Sequence, residues 1–349
     1  KIDLANAEAW DTRDKENIMK VINKQLSGGV YDLNKKVIGL LRDWFSRQVE
    51  SIAASDPGIM AAQFLIDQGK YPRAETVCRR LLVWANKHNP GELPNGVVLG
   101  AMHKLASTLL HQGKLEEAEG LCRQCVAGRE SMFGEQDSRT LSSTHNLADV
   151  LQQRGKLSEA EGLYRKVLAT EQATFGDDHP TVSDTMANLG YVMHQRGKYE
   201  EAERLYRQAL ALRQNHLGEG HPDSLITLSN LALLLQGTGK LEEAESQMRK
   251  LLKIQEVKLG ATHPTTLISV NNLAWLLTTR GQLHEAERLY RRAFQVRQQV
   301  FGKTHPATLF SAAELADFLN KQGKGDAAET YFSSAIEGHD DKPEEQVHP

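Results

Sequence analysis

Seven glycines stand in register along this chain: Gly69, Gly113, Gly155, Gly197, Gly239, Gly281 and Gly323. From Gly113 onward every step is 42 residues, and a lysine follows each glycine except Gly281, which precedes Gln282. The first step is 44, and the additional pair fits a loop near Asn89-Pro90-Gly91. Two further columns keep the phase: His179-Pro180, His221-Pro222, His263-Pro264 and His305-Pro306, and Gly134, Gly176, Gly218, Gly260 and Gly302. A period of this length marks a repeat array, in which each repeat leaves an apolar face for its neighbour to cover.

Each repeat reads as two helices. Proline suits the first turn of a helix, where its missing N–H costs nothing, and the residue before it is driven out of the α region. A helix therefore starts at His179-Pro180, and Met186, Leu189, Val192 and Met193 follow at helical spacing. Gly197 predicts a left-handed cap. A second helix opens near Tyr199, carries Ala202, Leu205, Tyr206, Ala209 and Leu210, and closes at Gly218. No useful run alternates with period two, so no strands are expected. Small residues recur in the first helices (Ala106, Ala148, Gly190, Ala232, Ala274, Ala316) and in the second (Ala118, Ala160, Ala202, Ala244, Ala286, Ala328). They let helix axes approach, and a column of mostly large residues (Cys122, Tyr164, Tyr206, Met248, Tyr290, Phe332) fills the adjoining holes.

The repeat NLAxLLxxxGKxxEAExLYRxALxxxxxxxGxxHPxT resembles the tetratricopeptide repeat over about residues 58–338. Its 42-residue length is similar to the subclass found in kinesin light chains and nephrocystin-like proteins. The resemblance implies an all-α, right-handed superhelical solenoid of about seven helical hairpins, with the first helices lining a concave groove that holds a peptide or partner segment.

Residues 1–57 do not repeat. Glu16–Leu26 and Val30–Ser55 each look helical, broken at Gly28-Gly29, and the second carries Leu33, Val37, Leu40, Leu41, Trp44 and Val49 as an apolar stripe that needs burial. It reads as a cap on the first repeat, or as a docking helix presenting Leu40, Leu41 and Trp44. Residues 339–349 read as an acidic, flexible tail.

Lys+Arg is 42 against Asp+Glu 45, a net charge of −3 that argues against a nucleic-acid binder. No stretch approaches the ~18 consecutive apolar residues of a membrane span. The cysteines, 3 in all (Cys78, Cys122, Cys125), suit a reducing intracellular compartment rather than a disulfide framework. The first residue is Lys1, not Met, so the chain reads as a fragment or a processed product. The expected location is the cytoplasm, or an organelle interior if a transit peptide has been removed.

Nothing in the sequence assembles chemistry. The His-Pro histidines stand one per repeat and do not converge, so their role is structural. Cys122-x-x-Cys125 lacks a second pair for zinc and a strand-to-helix setting for redox work; all three cysteines read as small buried residues. No phosphate-cradling glycine loop or GxSxG elbow occurs. The Glu-Ala-Glu column, for example Glu201 and Glu203, reads as a solvated face with i,i+4 partners such as Arg207. The chain is expected to be no enzyme and to need no cofactor.

The resemblance turns one column of the first helices to the groove: Asn146, Asn188, Asn230 and Asn272, with Lys104 and Glu314 at either end. Asparagine disfavours helix, so the ladder wants a reason. Its amide can grip an extended backbone, or it can bond the adjacent helix and fix the stack. Three residues on, Tyr191, Leu233 and Trp275 form an apolar floor, and His145 lies on the other flank. The leading expectation is a scaffold or adaptor that binds a partner segment in this groove. The alternative is a structural subunit of a large assembly, docked through its N-terminal helices or convex face.

Overall fold

The structure, a computed structural model, describes residues 56–88 and 96–340. Every described element is a helix: α1 (Asp56–Asp67), α2 (Tyr71–His88), α3 (Gly96–His111), α4 (Leu115–Phe133), α5 (Ser138–Gln153), α6 (Leu157–Phe175), α7 (Pro180–Gln195), α8 (Tyr199–Leu217), α9 (Pro222–Gly237), α10 (Leu241–Lys258), α11 (Pro264–Thr279), α12 (Leu283–Phe301), α13 (Pro306–Lys321) and α14 (Gly325–Asp340). They follow in chain order, two to each repeat, the all-α two-helix unit anticipated from the period. The N-terminal stripe with Leu40, Leu41 and Trp44 and the loop at Asn89-Pro90-Gly91 lie outside the described residues. Helical backbone continues through Asp340, two residues past the residue 338 boundary read for the array.

The chain divides into two compact units, residues 1–163 and 164–349, the division falling inside α6. In the first, α1 to α5 follow as packed neighbours; in the second, α7 packs on α8, α9 on α10, α11 on α12 and α13 on α14, and each hairpin on the next.

The punctuation of the sequence is the punctuation of the helices. His179, His221, His263 and His305 are N-caps with extended backbone; each ring accepts through Nδ1 from the N–H two residues on, at 3.1–3.4 Å. Imidazole here does what Ser or Asp does elsewhere, satisfying one orphan donor of the first turn. In α5 the same place is held by Asp137. At the other end of α7, Gly197 adopts φ 74°. Its N–H meets the His194 carbonyl and that of Lys198 meets Met193, a Schellman cap that needs glycine's left-handed backbone. The small and large columns interlock as anticipated: a Cβ on Gly190 would stand 3.1 Å from the Tyr206 ring, which is fully buried. Cys78, Cys122 and Cys125 are buried free thiols, and burial pushes Cys78 and Cys122 up to about 12.

The Glu-Ala-Glu column is not the solvated face its polarity suggests. Its second glutamate turns inward between hairpins. In the first unit Glu119, its side chain 8% exposed, takes Arg123 (2.9 Å) from its own helix, Lys156 (2.9 Å) from the next Gly-Lys pair, and Arg154. In the second, Glu203 takes Arg207 (2.6 Å) and Lys240 (2.8 Å), Glu245 takes Arg249 (2.8 Å) and Arg280, and Glu287 takes Arg291 (2.8 Å) and Lys324 (2.6 Å). The lysine after the capping glycine is thus a tie to the preceding hairpin. Burial alone would raise the Glu119 pKa, but the bonds from Lys156, Arg123 and Arg154 outweigh it and hold the carboxyl at about 2.

Candidate partner-binding site

The groove column anticipated from sequence falls into two different situations. Asn146 donates to the His103 ring of the preceding first helix at 3.3 Å. Burial, with Arg129 and Lys104 nearby, pulls His103 down to about 3, so the ring stays neutral and can accept. Lys104 is likewise committed, donating to Gln63 Oε1 at 2.5 Å, and His145 lies 3.3 Å from Asp149 on its own helix. These three belong to the packing of the first unit. Asn188 is half-buried on α7.

Asn230 and Asn272, in the second unit, are half-buried and their amides bond no described residue. Tyr191, Leu233 and Trp275 stand exposed one turn further along the same helices, Trp275 by 57%. One turn the other way lies a column that the sequence reading missed: Ile226, Ile268 and Phe310, each more than half exposed. Positions i, i+4 and i+7 share one helix face, so α9 presents Ile226, Asn230 and Leu233 together and α11 presents Ile268, Asn272 and Trp275. The signal was available as an apolar 42-residue column four residues before the asparagines. It was hidden because α9 and α11 are apolar nearly all round.

Between α9, α10 and α11 this face sinks into a cleft of about 420 Å³, lined by Ile226, Asn230 and Ile268 and, among others, by Gln255, Thr265 and Ser269. Charge is sparse on the exposed face. Asp184 pairs with Arg213 at 2.7 Å and Asp317 with Lys321 at 2.6 Å. Glu314, in the asparagine column, is half-buried, and burial raises its pKa despite Arg297. The arrangement offers apolar contact and amide hydrogen bonding. Among the described residues no group of three His, Cys, Asp or Glu converges as a metal site, and no helix is long and apolar enough to cross a membrane.

The tetratricopeptide repeat family model matches residues 97–172, 139–215, 223–299 and 276–341. No curated protein matches the chain. Among solved structures, the kinesin light chain nearly identical TPR-like repeats of Podosopora anserina are 28% identical, covering 58% of this chain and 96% of that one with a TM-score of 0.53. BtubC (BKLC) of P. vanneervenii is 22% identical over 72% of this chain and 94% of its own, with a TM-score of 0.51. The apo quorum sensor NprR of B. thuringiensis is 15% identical over 95% and 89%, with a TM-score of 0.62. The last two speak for the fold alone. The matched segments cover more than half of the chain, which belongs to the tetratricopeptide repeat family. Members of this family generally mediate protein–protein interaction, and the match indicates no catalytic family.

Proposed function

We propose that this tetratricopeptide-repeat chain is a non-enzymatic scaffold that holds an extended segment of a partner protein against the first-helix face of its second unit. The observation that carries this reading is the pair of exposed apolar columns, Ile226/Ile268/Phe310 and Tyr191/Leu233/Trp275, bracketing the uncommitted amides of Asn230 and Asn272. Apolar side chains of the segment would pack on the two columns, and the amides would pair with its backbone N–H and C=O groups. Large exposed side chains that contribute nothing to the core are what such a face requires.

The test is affinity capture from source-cell lysate with mass spectrometry, comparing wild type with Asn230→Ala/Ile268→Ala/Trp275→Ala. Selective loss of a captured protein from the triple variant supports the groove. Equal capture of one stoichiometric set by both sinks it and favours a subunit docked elsewhere.

A further inference from the structure

A second polar tie repeats through the array, and at one rung it is missing. In α4, Arg129 reaches from its helix to the Arg139 carbonyl (2.6 Å) and the Ser143 hydroxyl (2.9 Å) of the next first helix. One period on, Glu171 accepts from Thr185 at 2.7 Å. Arg213 then reaches the Asp223 carbonyl (3.0 Å) and Thr227 Oγ1 (2.5 Å), and Arg297 the Ser311 hydroxyl. Each pair is separated by 14 residues. The rung between Arg213 and Arg297 would join Gln255 to Ser269 and Thr265. Gln255 is shorter than arginine and does not span it. It is 2% exposed, and neither its Oε1 nor the Ser269 hydroxyl bonds a described residue. The cleft of about 420 Å³ lies there, lined by Gln255, Ser269 and Thr265 together with the exposed Ile226 and Ile268.

We propose that this cleft takes the arginine side chain of the bound partner segment, its guanidinium filling the place that Arg129, Arg213 and Arg297 fill in their own rungs. The guest's methylenes would lie between Ile226 and Ile268, and its N–H groups would donate to Gln255 Oε1, the Ser269 hydroxyl and the Thr265 carbonyl. A buried acceptor without a donor is costly, so a ligand that supplies the donor binds with that penalty relieved. Among the described residues no carboxylate lines the cleft. Arg129 sets the precedent, held in its rung by a carbonyl and a hydroxyl with burial lowering its pKa, whereas Arg213 also meets Asp184 at 2.7 Å. This proposal rests on the groove reading and names one side chain the groove selects.

The experiment titrates the full chain with two blocked tripeptides, Leu-Arg-Leu and Leu-norleucine-Leu, following the methyl NMR signals of Ile226 and Ile268. The arginine peptide is expected to bind about tenfold or more tightly than the norleucine peptide, the worth of hydrogen bonds to a charged donor. Gln255→Arg should abolish the preference by filling the cleft from within, and should raise the Tm. Gln255→Leu should abolish it by removing the acceptor, which keeps the test open if the arginine variant folds poorly. Equal binding of both peptides to wild type at these methyls overturns the arginine pocket and leaves the groove standing. A preference that survives both variants overturns it too, since bulk charge would then explain the binding. If neither peptide moves the methyls, the pocket is again overturned, and the groove is judged by its own capture experiment, which leaves Gln255 untouched.

Discussion

Replacing Glu119 by Gln removes the one carboxylate that Arg123, Arg154 and Lys156 share. A pKa of about 2 against the ordinary 4.5 corresponds to roughly 3 kcal/mol of preference for the ionised form, at ~1.4 kcal/mol per tenfold. That is a ceiling. The three cations are 49%, 24% and 37% exposed, so they recover hydration when the carboxylate is lost. The expected cost at pH 7 is therefore about 1–2 kcal/mol. The pKa is depressed by folding, so the stabilisation is complete above the unfolded value and fades as pH falls towards the folded one. The gap between wild type and Glu119→Gln should hold from pH 7 to about 5 and lose more than half its size by pH 3. Hairpins in an array open locally, so the fitting assay is native-state hydrogen exchange of the α4 amides, which reads that opening directly. A difference under about 0.3 kcal/mol at pH 7 would return Glu119 to the solvated face its sequence suggests, and a difference unchanged at pH 3 would refute the ionic account.

Tyr206→Phe should leave the second unit as stable or up to about 1 kcal/mol more so by denaturant melting, because the buried Tyr206 hydroxyl has no partner among the described residues to lose; a loss above about 1 kcal/mol would show a hidden bond. Gly190→Leu should cost about 1–3 kcal/mol or more, since even a Cβ meets the Tyr206 ring at 3.1 Å. Ile268→Ala should change stability by less than about 0.5 kcal/mol while weakening partner capture, whereas Leu267→Ala, at 0% exposure one residue away, should cost about 2–5 kcal/mol. Equal thermal shifts for that pair would mean that Ile268 is part of the core.

Helix starts, helix ends and core columns were legible in the sequence because each follows from a local rule: proline fixes φ, glycine admits the left-handed cap, and small residues admit close axes. What was not legible depended on which neighbour a polar side chain finds. Glu119 and Glu203 sit in a charged stretch that reads as solvated, and only the stacked hairpins reveal the lysines arriving from the next Gly-Lys pair. Asn146 and Asn230 occupy the same column, yet one bonds His103 from the preceding helix and the other bonds nothing described. The difference lies in the residue one helix back. The residue that precedes Asn230 by the same 43 positions is Ala187, whose methyl has nothing to offer the amide.

An array built by such repeating rules is over-determined, and that changes where recognition has to be sought. The caps, the small columns and the glutamate ties recur whatever the chain binds, so their presence carries no information about a partner. Departures from the columns carry it. Gln255 breaks a column otherwise made of arginines and one glutamate, and it does so where an acceptor is left buried and a cleft opens. Ile226, Ile268 and Phe310 place large apolar surface in water although the adjoining core is already filled by Leu225, Leu267 and Leu315. Such exposure adds nothing to folding, and an unsatisfied buried acceptor opposes it. Both kinds of departure occur in the second unit, where Gln255, Ile226 and Ile268 line one cleft together with the uncommitted Asn230. Two features neutral or unfavourable to the fold meet at one cleft, and they are the physical ground of the proposed arginine site.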